Sequence, residues 1–121
     1  MSKKLTKAER HMRRVCKKLS AKAKLGFSVS VDVGKLKGRI LGRCEACMLG
    51  DKQGFRISIR AGLTELEREQ VMVHEWAHAL HMVKLARRWV TQTQPDHGDE
   101  WARCYGYAWR AVYEGSKENR Q

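Results

Sequence analysis

Two histidines spaced for a shared metal ion are the feature of this chain best suited to chemistry. Residues 74–78 read His-Glu-Trp-Ala-His. Four residues make about one helical turn, so His74 and His78 lie on the same face of a predicted helix. Their imidazoles can hold one metal ion, and Glu75 is placed to take a proton from water without occupying a coordination position. This arrangement is typical of a zinc hydrolase.

A catalytic zinc site needs a third protein ligand, and residues 95–101 offer two candidates. His97 is preferred, because imidazole suits zinc and the residue stands where a loop is expected to turn into a helix. Glu100 is the alternative, because some zinc peptidases use a carboxylate as the third ligand. His81 follows His78 by about one turn and is interpreted as a supporting or packing residue, since catalytic zinc keeps one position open.

The four cysteines carry weaker signals. Cys44 and Cys47 have C-x-x-C spacing, which is compatible with half of a zinc knuckle or with a redox pair. No second such pair follows, so a structural zinc ion would need His or distant Cys residues as its other ligands. Cys16 and Cys104 fall on apolar helix faces and are predicted to be core thiols. The N-terminal residues lack the apolar core of a secretory signal, so a cytoplasmic, reducing location is expected. No apolar run is long enough to predict a membrane-spanning helix.

The chain is strongly basic, with a formal net charge of +12 over 121 residues. Residues 1–24 carry ten Lys or Arg against one Glu, and a second basic cluster occupies residues 35–43. Such concentrated positive charge favours polyanions, and nucleic acid in particular. DNA is therefore an expected partner through the basic N-terminal region. The alternative is a solvated basic face that only aids solubility.

Hydrophobic periodicity places these residues in a small α+β domain. Thr6 and Glu9 form a capping box ahead of an amphipathic helix with a basic outer face, and Gly26 is the predicted stop. Alternating apolar residues then predict a small antiparallel sheet. Its three strands are expected at residues 27–33, 36–41 and 55–59. Cys44 and Cys47 fall in a polar loop predicted between the second and third strands.

Two further helices complete the predicted domain. Thr64 and Glu67 form a second capping box, which opens a long, centrally buried helix that runs to about Trp89. A final helix is predicted over residues 98–114. The expected single domain and polar tail comprise residues 1–115 and 116–121.

The segments HEWAHALH and HGDEW together resemble the SprT-like metallopeptidases, a family that includes the Spartan group. The family pattern is H-E-x-x-H followed by H-G-x-x-[WF], and the resemblance covers roughly residues 55–113. It implies a zincin-like α+β domain. Carried over position by position, it implies zinc ligation by His74, His78 and His97, catalysis by Glu75, and packing of Trp101 behind the third ligand.

Members of that family are DNA-linked proteases, some of which digest proteins crosslinked to DNA. The resemblance thus implies a zinc-dependent endopeptidase that acts on DNA-associated proteins. Glu75 is expected to accept the proton of the attacking water and deliver it to the leaving amine. Tyr105 and Tyr107 are equal candidates for a hydroxyl that polarises the scissile carbonyl. A strand over residues 55–60, at the edge of the sheet, would hold substrate by strand addition.

Two other functions stay open. One is a peptidase that cleaves a single regulator, such as a repressor, in which the third ligand would be acidic. The other is a non-catalytic, basic nucleic-acid-binding protein in which zinc is structural or absent.

Overall fold

The computed structural model describes residues 4–87 and 98–114. They form an α+β domain with three helices and a three-stranded mixed sheet, which confirms the predicted class. The elements are α1 (Lys7–Lys22), β1 (Ser28–Gly34), β2 (Gly42–Leu49), β3 (Lys52–Arg60), α2 (Glu65–Arg87) and α3 (Asp99–Tyr113). None of the helices in the described ranges is both long and apolar enough to cross a membrane. His97, the predicted helix end at Trp89 and the tail at residues 116–121 lie outside the described residues.

Reciprocal side-chain caps start α1 and α2 at the predicted positions. Thr6 Oγ1 accepts a hydrogen bond from Glu9 N at 3.1 Å, and Glu9 Oε1 accepts one from Thr6 N at 2.8 Å. Thr64 and Glu67 form the same pair of bonds at 3.2 and 2.8 Å. Each box satisfies two backbone N–H groups that have no partner within the helix. The start of α2 is therefore set by its own sequence.

The end of α1 differs from the prediction. The helix stops at Lys22, and the backbone N–H of Ala23 donates to Leu19 O at 2.7 Å. Gly26 has a φ of 80° and lies in the connection to β1. Its left-handed conformation thus turns the chain into the sheet and does not cap the helix.

The predicted all-antiparallel sheet is wrong. The strand order is β1–β3–β2, so β3 is central. β1 runs parallel to β3 and places Val31 opposite Ile57, whereas β2 runs antiparallel to β3 and places Cys44 opposite the same residue. Apolar alternation identifies strands but carries no information about which strands pair or in which direction. The position of β3 between the other two strands depends on contacts between distant parts of the chain.

The second strand lies later than predicted. Residues 36–41 belong to the connection between β1 and β2, and the strand itself is Gly42–Leu49. β2 is an edge strand in which Arg43 and Met48 are exposed, so no strong apolar period marks it. Cys44 and Cys47 consequently lie in a strand and not in a loop.

One hydrophobic core joins the helices to one face of the sheet. Phe55, Ile57 and Ile59 of β3 are buried, while the intervening Arg56 is exposed, as the two-residue period of a strand requires. α2 packs against both other helices and against β2 and β3. Trp76 of α2 is fully buried, and its Nε1 donates to the carbonyl of Ala23 at 2.8 Å. α2 is therefore the central element, as predicted.

A polar cluster ties the three helices together. His11 of α1 is buried, and its Nε2 lies 2.8 Å from Oε2 of Glu69 on α2. Arg68 Nε donates to His11 Nδ1 at 3.3 Å, which leaves the ring proton on Nε2. The hydroxyl of Tyr113 on α3 donates to Glu69 Oε1 at 3.2 Å. Burial and the charge of Glu69 raise the pKa of Tyr113 to about 12, so the phenol stays a donor at neutral pH.

We expect Tyr113→Phe to lower the free energy of unfolding by about 1 kcal/mol, because it removes a hydrogen bond to a partly buried carboxylate. Tyr107→Phe is the matched control, since Tyr107 is 48% exposed. The control should change stability by less than about 0.5 kcal/mol. Urea denaturation measures both, and equal effects would contradict a stabilising role for the Tyr113–Glu69 bond.

Candidate metal centre and active site

Two imidazole nitrogens converge on one face of α2. Nε2 of His74 and Nε2 of His78 are 3.2 Å apart, and their ring centroids are 4.8 Å apart. A tetrahedral zinc ion with nitrogen ligands at about 2.0–2.1 Å separates two such nitrogens by roughly 3.3 Å. The helical spacing of the two residues therefore produces a separation that fits one zinc ion.

Aromatic rings of α3 pack against both histidines. The ring centroid of Trp101 lies 5.0 Å from that of His74 and 5.4 Å from that of His78. Tyr105 stacks on Trp101 at 5.2 Å with an interplanar angle of 27°. The resemblance implied that Trp101 packs behind the third ligand. In the structure Trp101 contacts the first two predicted ligands, and the predicted third, His97, lies outside the described residues.

Glu75 lines an open cleft of about 590 Å³ beside α2. The residue is only 7% exposed, and this loss of hydration raises the pKa of its carboxyl to about 7. A carboxyl with a pKa near neutrality can both accept and donate a proton. His74 and Tyr105 line the same cleft, so a predicted metal ligand, a buried carboxyl and a phenol meet at one place.

The structure distinguishes the two tyrosines that were equal candidates from the sequence. Tyr105 lines the cleft with Glu75. Tyr107 is exposed and borders a separate hollow with Lys22 and Arg110. Tyr105 is therefore the tyrosine that can reach a molecule bound in the cleft.

Gly42 allows β2 to approach α2 closely. A Cβ atom at this position would overlap Cγ1 of Val71 and would lie 3.2 Å from Oε2 of Glu75. Any larger residue must push the strand away from the helix or displace the Glu75 side chain. No local sequence pattern signals this requirement at Gly42, because it arises from the approach of α2.

The strand predicted to bind substrate is not at an edge. Residues 55–60 belong to β3, which is paired with β1 on one side and β2 on the other. The edge strand beside the cleft is β2, which pairs only with β3 in the sheet formed by residues 4–87 and 98–114. Gly42, at the start of β2, lines the cleft. Of the two edges of the sheet, the outer side of β2 is therefore the one that begins beside the cleft.

Cys44 and Cys47 lie on β2, and among the described residues they are not part of a group of three potential metal ligands. In a regular extended strand, residues three apart point to opposite faces, and their Cα atoms are roughly 10 Å apart. Cys44 is on the α2 side, where burial, followed by the charges of Glu75 and Glu45, raises the pKa of its thiol to about 12. In the absence of a metal ion such a thiol stays protonated at neutral pH.

The other two cysteines match the prediction of core thiols. Cys104 is buried and Cys16 is half-buried. Burial raises the pKa of the Cys16 thiol.

Glu100, the alternative third ligand, lies near a different histidine. Its Oε1 is 3.3 Å from Nε2 of His81, and both side chains are largely buried. The two atoms are not aligned for a hydrogen bond, so the contact is an ion pair when His81 is protonated. Within the two described ranges, no three His, Cys, Asp or Glu side chains are grouped to hold a metal ion. Glu100 thus does not complete a ligand set with His74 and His78.

No protein-family model, curated protein or solved structure matches this chain. The resemblance of HEWAHALH and HGDEW to the SprT-like metallopeptidases therefore stays a prediction, and function has to be inferred from the geometry of the cleft.

We expect Gly42→Ala to destabilise the protein by about 1–3 kcal/mol, because the new methyl group overlaps Val71. Gly34→Ala is the matched control: a Cβ there meets no atom within 4 Å, so its cost should stay below about 1 kcal/mol. Urea denaturation of both variants measures the difference. A Gly42→Ala protein as stable as the control would show that the contact between β2 and α2 is not tight.

Proposed function

We propose that this protein is a zinc-dependent endopeptidase of the zincin type, with His74, His78 and His97 as zinc ligands and Glu75 as general base. The observation that carries the proposal is the convergence of two Nε2 atoms at 3.2 Å beside a buried carboxyl in an open cleft. Two ordinary surface histidines would not require a buried acid and a cleft next to them. The resemblance to the SprT-like family supports the same assignment.

The donor set suits zinc, which is bound by imidazole in tetrahedral sites and keeps one position open when it is catalytic. The chemistry that zinc supplies when bound at such a site is Lewis acidity, which makes water more acidic and polarises a carbonyl oxygen. Trp101 packs on the rings of His74 and His78 and restricts their rotation. Less side-chain entropy is then lost when the two ligands are held in one geometry.

Glu75 moves the proton in the proposed hydrolysis. Its carboxylate takes the proton of the attacking water, and the resulting acid delivers it to the leaving amide nitrogen. Because Gly42 has no side chain, the space beside the Glu75 carboxyl stays free for that group. A fixed acceptor beside the attacking water avoids reorganisation during the reaction.

β2 and Tyr105 are assigned to substrate binding. An extended peptide can add to the outer edge of β2 through main-chain hydrogen bonds, which places it along the cleft. The Tyr105 hydroxyl is assigned to the scissile carbonyl oxygen, where a donor stabilises the negative charge that develops. A cleft of about 590 Å³ has the size of a typical ligand site.

The basic outer face of α1 supports DNA-associated proteins as the substrate class. Its exposed cations are Lys7, Arg10, Arg13, Arg14, Lys17, Lys18 and Lys22. The salt bridges between described residues involve none of the first six of these side chains. Cations that are not neutralised by neighbouring carboxylates favour a polyanion, because binding releases its counterions. The same face would serve the second candidate function, a non-catalytic nucleic-acid-binding protein.

A Glu75→Gln variant should keep its zinc but lose at least about 100-fold in the rate of casein cleavage, because an amide cannot accept the proton of water. Glu65→Gln, an exposed change in the first turn of the same helix, should cleave at the wild-type rate. Proteolysis and zinc content are measured on both. An active Glu75→Gln protein would rule out the assigned general base.

Protein purified without added metal should contain one zinc ion per chain, and His97→Ala should lose it while Glu100→Ala retains it, because His97 is the assigned third ligand. Elemental analysis measures the zinc. Loss in Glu100→Ala alone would favour the peptidase that cleaves a single regulator. Two zinc ions per chain would favour a second site at Cys44 and Cys47. A folded protein that holds none and takes up none would contradict the zinc site and favour the nucleic-acid-binding protein.

A further inference from the structure

The connection between β1 and β2, residues 35–41, is held in shape by one side chain, and we call it the Arg60 loop. Arg60 Nε donates to Ile40 O at 2.7 Å, and its Nη2 donates to Leu36 O at 3.0 Å and to Gly38 O at 2.5 Å. The planar guanidinium presents several donors in a rigid fork, so it binds several carbonyls at once.

Both ends of the Arg60 loop are fixed at the end of β3. The backbone N–H of Arg60 donates to Leu41 O at 2.8 Å, and that of Ala61 donates to Gly34 O at 2.8 Å. The two ends of the loop are therefore held close together, and the Arg60 side chain donates hydrogen bonds to carbonyl oxygens between them. A surface segment with its backbone acceptors satisfied in this way has a defined shape.

The Arg60 loop delivers one apolar side chain to the cleft. Leu41 lines the cleft together with Val71, His74 and Glu75, yet Leu41 is 51% exposed. Its neighbour Ile40 is 49% exposed but does not line the cleft. An exposed leucine beside a predicted zinc ligand and base forms an apolar wall where a bound molecule would lie, and covering this wall with an apolar group is favourable.

We propose that Leu41 selects a bulky apolar side chain next to the scissile bond of an extended polypeptide, and that Arg60 is the positioning residue that holds Leu41 at the cleft. The inference rests on the proposed peptidase function and names the substrate preference of that site. The position of Leu41 indicates that an extended peptide would cover it. β2 begins at Gly42, directly after Leu41, so a peptide added to the edge of β2 passes Leu41 as it reaches Glu75.

The first step of the test maps cleavage sites. Zinc-loaded full-length protein digests denatured β-casein, and mass spectrometry identifies the cleaved bonds. Two peptides are then made on the best site, which differ only in carrying Leu or Asn at the residue preferred next to the scissile bond. Wild-type kcat/KM should favour the Leu peptide by at least about tenfold, since a matched apolar contact is worth at least this factor.

Four variants test whether Leu41 and Arg60 cause the preference for the Leu peptide. Leu41→Ala should reduce the Leu-to-Asn ratio to below about threefold, because the apolar wall is removed. Ile40→Ala is the matched control and should leave the ratio unchanged. Arg60→Gln should reduce the ratio as Leu41→Ala does, whereas Arg56→Gln, an exposed change on the same strand, should not. A ratio of two substrates does not depend on how much of the variant is folded.

The outcomes separate the inference from the proposed function. Wild-type protein that cleaves both peptides equally, or a preference untouched by Leu41→Ala, overturns the role of Leu41 and leaves the peptidase standing. A ratio changed by Leu41→Ala but not by Arg60→Gln overturns the positioning role of Arg60 alone. Wild-type protein that cleaves neither casein nor peptides overturns the peptidase and the inference together.

Discussion

The burial of α2 is the constraint on which the rest of the structure depends. This helix packs against both other helices and two strands, and residues such as Val73 and Ala77 are fully buried. Yet His74, Glu75 and His78 interrupt that apolar surface in the middle of the helix. Burying an imidazole or a carboxyl without compensation costs free energy, and the cleft leaves His74 and Glu75 beside open space.

The two sides of the polar groups are built differently. On one side, Gly42 lets a strand approach the helix so closely that a Cβ atom there would overlap Val71 and lie 3.2 Å from Glu75 Oε2. On the other, Trp101 covers the rings of His74 and His78. The glycine permits close approach of the strand to α2, whereas the tryptophan ring provides a fixed surface against the two imidazoles. The fixed surface restricts the rotamers of the imidazoles, which is what a site that gathers ligands needs.

α1 combines a structural and an electrostatic role. Its apolar face completes the core, and His11 joins it to Glu69 of α2 through a partly buried hydrogen bond. Its outer face is left with exposed cations. The positive charge is therefore carried on a helix that is firmly attached to α2 but does not line the cleft. In the proposed function, binding to DNA and chemistry on protein would use separate surfaces of one small domain.

Local sequence determined most of the elements. The capping boxes at Thr6 and Thr64 set the starts of α1 and α2, and a 3.6-residue apolar period marks α1, because these signals depend only on neighbours along the chain. The same short range explains the convergence of His74 and His78, since residues one turn apart must share a helix face. The direction of the strands, the extent of β2 and the edge beside the cleft depend on pairing between distant segments, which alternation does not encode.

Only the tertiary structure decided which other residues belong to the cleft. Tyr105 and Tyr107 are two residues apart in the same helix and look equivalent in the sequence. Packing of α3 on α2 turns Tyr105 to the cleft and leaves Tyr107 exposed. Gly42 and Leu41 become part of the site because β2 docks on α2, and Arg60 acquires its role because the Arg60 loop folds over the end of β3. These assignments arise from contacts between segments far apart in the chain. The sequence therefore determined the spacing of His74, Glu75 and His78 on one helix, and the packing of the elements determined what surrounds them.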